Sequence, residues 1–127
     1  MATNLQLCAA LVFVLGCTTD AVDSDNHACQ PDEPCSHRCE PGGAPCNVTC
    51  AVGEPCSVVC DSEEVCNVAG TTASSMTVDC AGTPLCNVSC PGGSCTVEHC
   101  IDRASCNVTC NNTGVATFHA DGTATCP

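Results

Sequence analysis

The chain has 127 residues, 18 of them cysteine, with no Trp, no Tyr and two Phe, and its 14 acidic side chains stand against only Arg38 and Arg103 for a net charge of −12. A globular core of ordinary size cannot be built from that inventory, because large aromatic and aliphatic side chains supply most buried area. Such cysteine density marks a disulfide scaffold in an oxidising compartment, and the acidic balance excludes nucleic-acid binding and a basic face on anionic lipid.

Residues 5–16 read Leu-Gln-Leu-Cys-Ala-Ala-Leu-Val-Phe-Val-Leu-Gly. This is an apolar core of signal-peptide length, too short for a permanent transmembrane helix. It runs into Val14-Leu15-Gly16-Cys17, which resembles the lipobox of bacterial lipoproteins. The resemblance implies a signal peptide over 1–16 and a diacylglycerol on Cys17 as the mature N-terminus. Thr18 stands where an aspartate would retain such proteins at the inner membrane, so it also implies the outer membrane or cell surface. The alternative is an ordinary secretory signal cleaved nearby. Residues 17–28 are polar, with Asp20, Asp23 and Asp25, and are expected to form an acidic flexible tether. Beyond them lie sixteen cysteines, an even number, from Cys29 to Cys126.

From Cys46 onward one phrase recurs about every ten residues: cysteine, small polar, valine, any residue, cysteine. It is clearest in Cys46-Asn47-Val48-Thr49-Cys50, Cys86-Asn87-Val88-Ser89-Cys90 and Cys106-Asn107-Val108-Thr109-Cys110. The central residues are Val48, Val58, Val68, Val78, Val88, Val97, Val108 and Phe118. A fixed short period is the mark of a stacked repeat. In an extended strand the two cysteines and the valine share one face, which is the apolar, inward one. The intervening residues, such as Pro91-Gly92-Gly93-Ser94, are turn formers. The expectation is an all-β fold over 29–127: a narrow parallel β-solenoid with ten-residue coils, disulfide-stapled. Eight rungs at about 4.8 Å would give a rod on the order of 38 Å long.

The pairing follows from a defect. Gly70 and Met76 occupy cysteine positions and lie six apart. If each cysteine closing one phrase pairs with the one opening the next, that defect is a single staple lost whole. The pairs are then Cys29–Cys35, Cys39–Cys46, Cys50–Cys56, Cys60–Cys66, Cys80–Cys86, Cys90–Cys95 and Cys100–Cys106. Cys110 and Cys126 close the degenerate last coil, where Ala116 and Ala120 stand at the other two positions. Pairing within a phrase would ask an extended i, i+4 pair to span about 13 Å, beyond disulfide reach. Bonds between stacked rungs remain a further option. With a cysteine pair six residues apart in each coil, the region Cys46 to Cys110 resembles the narrow β-solenoids of beetle-type insect antifreeze proteins in architecture. The period is ten rather than twelve, and that family's Thr-Cys-Thr triplet is absent.

One outward column is regular: Asn47, Ser57, Asn67, Thr77, Asn87, Thr96, Asn107 and Thr117. The second (Thr49, Val59, Ala69, Asp79, Ser89, Glu98, Thr109, His119) is not, whereas an ice-binding face needs two matched rows. Asn47, Asn87, Asn107 and Asn111 each begin an Asn-x-Ser/Thr sequon, meaningful only in a eukaryotic secreted protein. His37 near Cys35 and Cys39, and His99 before Cys100, raise a thiolate metal site, but oxidised staples would consume the thiolates. No metal and no cofactor are expected. No catalytic motif occurs, and no Cys-x-x-Cys redox pair. The chain reads as a non-enzymatic secreted or cell-surface structural or interaction protein, reaching the membrane only through a lipid anchor and meeting an unknown protein or surface partner. The alternatives are a thiolate metal-binding protein and an ice-binding protein.

Overall fold

A computed structural model describes residues 25–42, 44–61, 64–81, 83–111 and 114–127. The signal segment, Cys17 and the first part of the expected tether lie outside the described residues.

The fold is a parallel β-solenoid, all-β, with no helix among the described residues. The strands are β1 (Asp25–Ala28), β2 (Cys35–Arg38), β3 (Cys46–Thr49), β4 (Pro55–Val59), β5 (Val65–Ala69), β6 (Ser75–Asp79), β7 (Leu85–Cys90), β8 (Cys95–Glu98), β9 (Cys106–Cys110), β10 (Thr117–Phe118) and β11 (Ala124–Thr125). Odd strands build one sheet in the order β1-β3-β5-β7-β9, and the other sheet runs β10-β11-β8-β6-β4-β2. The chain therefore alternates between two facing sheets and returns to its starting sheet only after two repeats. Cys46 pairs with Cys66, Val48 with Val68, and Val58 with Val78.

This corrects the coil length. The ten-residue repeat is half a coil, and a coil takes about twenty residues. The physical reason lies in the inward face. A strand that buries a valine and half-cystines needs an opposing apolar surface, which a single ten-residue column lacks and a second sheet supplies. The phrases centred on Val48 to Val108 accordingly stack as two files. Five strands in the first sheet span about 19 Å at ~4.8 Å each, half the length expected.

The core is narrow and almost free of polar atoms. Val48, Val58, Val68, Val78, Val88 and Val97 are each at most 2% exposed, flanked by half-cystines. Each such valine contributes on the order of 1.5–3 kcal/mol. Among the described residues no buried side-chain nitrogen or oxygen lacks a partner.

Eight disulfides close the corners between sheets: Cys29–Cys35, Cys39–Cys46, Cys50–Cys56, Cys60–Cys66, Cys80–Cys86, Cys90–Cys95, Cys100–Cys106 and Cys110–Cys126. These are the pairs written from the sequence. Because successive turns fall on opposite edges, the staples form two files. Along one edge they touch: Cys39 Sγ lies 3.8 Å from Cys66 Sγ, and Cys86 Sγ 3.9 Å from Cys60 Sγ. On the other edge the lost staple leaves no hole, because the Met76 side chain is 2% exposed and its sulfur lies over Gly70. The ladder also survives there, with the Gly70 N–H donating to Ser89 O at 2.9 Å.

Both ends depart from expectation. Residues 25–28, placed above in the tether, form β1 and pair with β3 in register: Asp25 with Cys46, Asn26 with Asn47, His27 with Val48. Polar residues in the cysteine and valine positions conceal this repeat in the sequence. At the other end Phe118 does not begin another parallel rung. The chain reverses, so that β11 pairs antiparallel with β8 (Ala124 opposite Val97) and β10 with β11. Gly122, at φ +85°, makes that reversal in a region open to glycine. Of the two alanines assigned to the last coil, Ala116 is buried and Ala120 exposed. Arg103 covers the Phe118 ring at 4.7 Å and finishes this end.

Candidate functional site

A period-2 strand that turns its cysteines and valine inward must turn its even partners outward, so two broad faces are available. The eight residues read as one column divide between them. Asn47, Asn67, Asn87 and Asn107 stand on the first sheet, joined by Asn26 of β1. Ser57, Thr77 and Thr96 stand on the second, with Ser36 before them and Thr125 and Thr117 after. The sequence carried this signal: Asn alternates strictly with Ser or Thr along the column. That alternation is the twenty-residue coil, visible once two sheets are considered.

The asparagines are wired together. Asn47 Nδ2 donates to Asn26 Oδ1 at 2.9 Å, Asn67 to Asn47 at 2.8 Å and Asn87 to Asn67 at 2.9 Å. An amide ladder at strand spacing satisfies one donor and one acceptor per residue and leaves the second N–H of each amide to face outward. Beside it runs a column of small residues: Ala28, Thr49, Ala69, Ser89 and Thr109. Strands β3, β5, β7 and β9 contain no ionisable side chain. In a chain of net charge −12 this is a large uncharged surface. Of the four sequon asparagines, Asn47 and Asn87 are committed to the ladder, and Asn111 Nδ2 donates to Thr71 O at 3.0 Å.

The second face differs. Its column beside the hydroxyls reads Arg38, Val59, Asp79 and Glu98. Arg38 pairs with Asp61 at 3.0 Å, an exposed contact worth little. His99 Nδ1 meets Asp79 Oδ1 at 2.7 Å, with Glu98 close by.

Four groups of close cysteine, histidine and carboxylate atoms lie among the described residues besides Asp79–Glu98–His99, and each includes cysteines that are bonded in disulfides. A disulfide sulfur is no thiolate, so the thiolate metal reading has no donors while the staples hold. The cysteine positions singled out in the sequence thus come together as staples, while the outward ladder comes together as two faces of unlike chemistry. The lipidation position Cys17 lies outside the described residues. Comparison of the chain with family models, with curated proteins and with solved structures found no match in any of the three.

Proposed function

We propose that this protein is a non-enzymatic extracytoplasmic module that displays the uncharged asparagine face of its first sheet to a partner surface, held at the cell surface through lipid on Cys17 in the lipoprotein reading of its N-terminus. The observation that carries it is the segregation of charge. Among the described residues, every ionisable group from β3 to β9 lies in turns or on the second sheet, while the first keeps a hydrogen-bonded amide array. A disulfide-rich rigid solenoid suits a structural role, since it presents that array without ordering cost. The number of disulfides fits an oxidising, extracytoplasmic environment.

The test is the intact mass of the unreduced native protein, with and without alkylation. The expected species starts at Cys17, is heavier by a diacylglycerol, is lighter by two hydrogens for each of its eight disulfides and takes up no alkylating agent. Free thiols with a retained metal would overturn the scaffold and restore thiolate metal binding.

A second reading gains from the structure. Divided between two sheets, the outward residues of the first give a uniform asparagine column beside a column of small residues, Thr49, Ala69, Ser89 and Thr109. Ice binding predicts thermal hysteresis that is lost in Asn87→Tyr, a bulky residue in the middle of the array. A solution with no hysteresis at millimolar protein removes this reading.

A further inference from the structure

The first coil is built like the others but with different chemistry in its core positions. Its inward residues are Asp25 where β3 has Cys46, His27 where β3 has Val48, and His37 where β4 has Val58. His27 and His37 therefore face each other across the two sheets. Their rings stack with centroids 4.0 Å apart and planes 11° from parallel. Asp25 Oδ2 lies 3.2 Å from His37 Nε2 and also accepts the Glu40 N–H at 3.2 Å. The His37 and Asp25 side chains are 17% and 26% exposed.

We propose that this histidine pair is an acid-released clasp, closing the first coil at neutral pH and opening it when both rings are protonated. Histidine is the side chain whose charge changes between about pH 5 and 8. One proton is well accommodated. The Asp25 carboxylate pairs with a charged His37, and the neutral His27 ring offers it a π face. A second proton places two cations in stacked contact beside a single carboxylate, which pairs with His37. The other packed elements offer no relief: β3 and β4 bring only Val48, Val58 and half-cystines to this spot and contain no ionisable group. Arg38 of β2 points outward to Asp61. Asp32, Glu33 and Glu40 lie in the adjoining turns.

Two protonated rings in stacked contact repel each other in the closed coil and move apart in the opened one, so the stability of this coil falls as pH falls. Opening stays local, because Cys39–Cys46 ties β2 to β3 and Cys29–Cys35 ties β1 to β2. The segment 25–38 swings as a tethered flap and uncovers the edges of β3 and β4.

The test is amide hydrogen exchange on the oxidised full chain from pH 8 to pH 5, corrected for intrinsic exchange. The reporters are the Cys29 N–H on Thr49 O and the Cys39 N–H on Val59 O, with the Gly70 N–H on Ser89 O as internal reference. Expected is a loss of protection of about tenfold or more at Cys29 and Cys39 relative to Gly70, and a flat ratio in His27→Val/His37→Val, which gives the first coil the core of the others. A ratio that does not change with pH in the native chain, or one that falls equally in the double variant, overturns the clasp.

Discussion

The missing staple offers the sharpest test of how this fold is held together. Gly70→Cys with Met76→Cys would restore a ninth disulfide in a file that already contains Cys50–Cys56 below and Cys90–Cys95 above. The swap is nearly neutral in packing: two cysteines carry the same number of side-chain heavy atoms as one methionine and a glycine, and the Met76 sulfur already occupies the corner. Corner geometry is reproducible, with Cα–Cα distances of 5.8 Å at Cys50–Cys56 and 5.9 Å at Cys90–Cys95. What remains is the chain-entropy term. Closing a loop of about seven residues removes roughly 8 cal/mol/K from the unfolded chain, or ~2.4 kcal/mol at 25 °C. In thermal terms this is a rise on the order of 10 °C for a domain near 100 residues. The assay is guanidinium and thermal unfolding under non-reducing conditions, with intact mass to count the two hydrogens lost. Introduced thiols that stay alkylatable in the folded double variant, or a bond that forms with no gain in midpoint, would refute the claim that Gly70 and Met76 stand for a staple. Gly70→Ala is the control. Its methyl group meets the Met76 sulfur and comes within 3.3 Å of Cys50 Sγ, so it should lower stability by about 1–3 kcal/mol.

Other outcomes follow from the same geometry. Val88→Asp puts a charge at a position 2% exposed between two sheets, and should prevent oxidative folding, read as absence of protease-resistant, fully oxidised protein. Asn67→Ala breaks both ladder bonds of the central asparagine and should lower stability by about 1–2 kcal/mol in a denaturant titration, without changing the disulfides. Asp102 organises the turn before β9: the backbone N–H and hydroxyl of Ser105, with the Ala104 N–H, hold its carboxyl below the ordinary carboxylate range. Because its folded value is depressed, the stabilisation is present above the unfolded carboxylate range near pH 4 and disappears as pH falls through the lower folded value. Asp102→Ala should therefore loosen the Cys106 amide at neutral pH and remove that part of the acid response, as read by hydrogen exchange.

Local chemistry carried much of this protein in its sequence. The alternation of cysteine, valine and cysteine determined which face is buried, because a strand has a period of two. The absence of Trp and Tyr matches a core built mainly of valines and half-cystines, with Met76 and a few alanines between them. The coupled loss at Gly70 and Met76 marked the corner pairing, since residues that share a bond lose their purpose together. Coil closure was a different kind of fact. A ten-residue repeat of strand and turn can return to its own sheet or cross to another, and only the need of each apolar face for an opposing one sent it across. The same crossing parted Asn67 from Ser57 and Thr77 and so created one uncharged face and one charged one. At the ends, tertiary context overrode pattern: His27 and His37 take valine positions and stack on each other, and Phe118 leaves the repeat where the chain reverses and sets Ala124 beside Val97. Sequence period sets the local strand, but the number of strands in a coil is decided by what each buried surface finds to pack against.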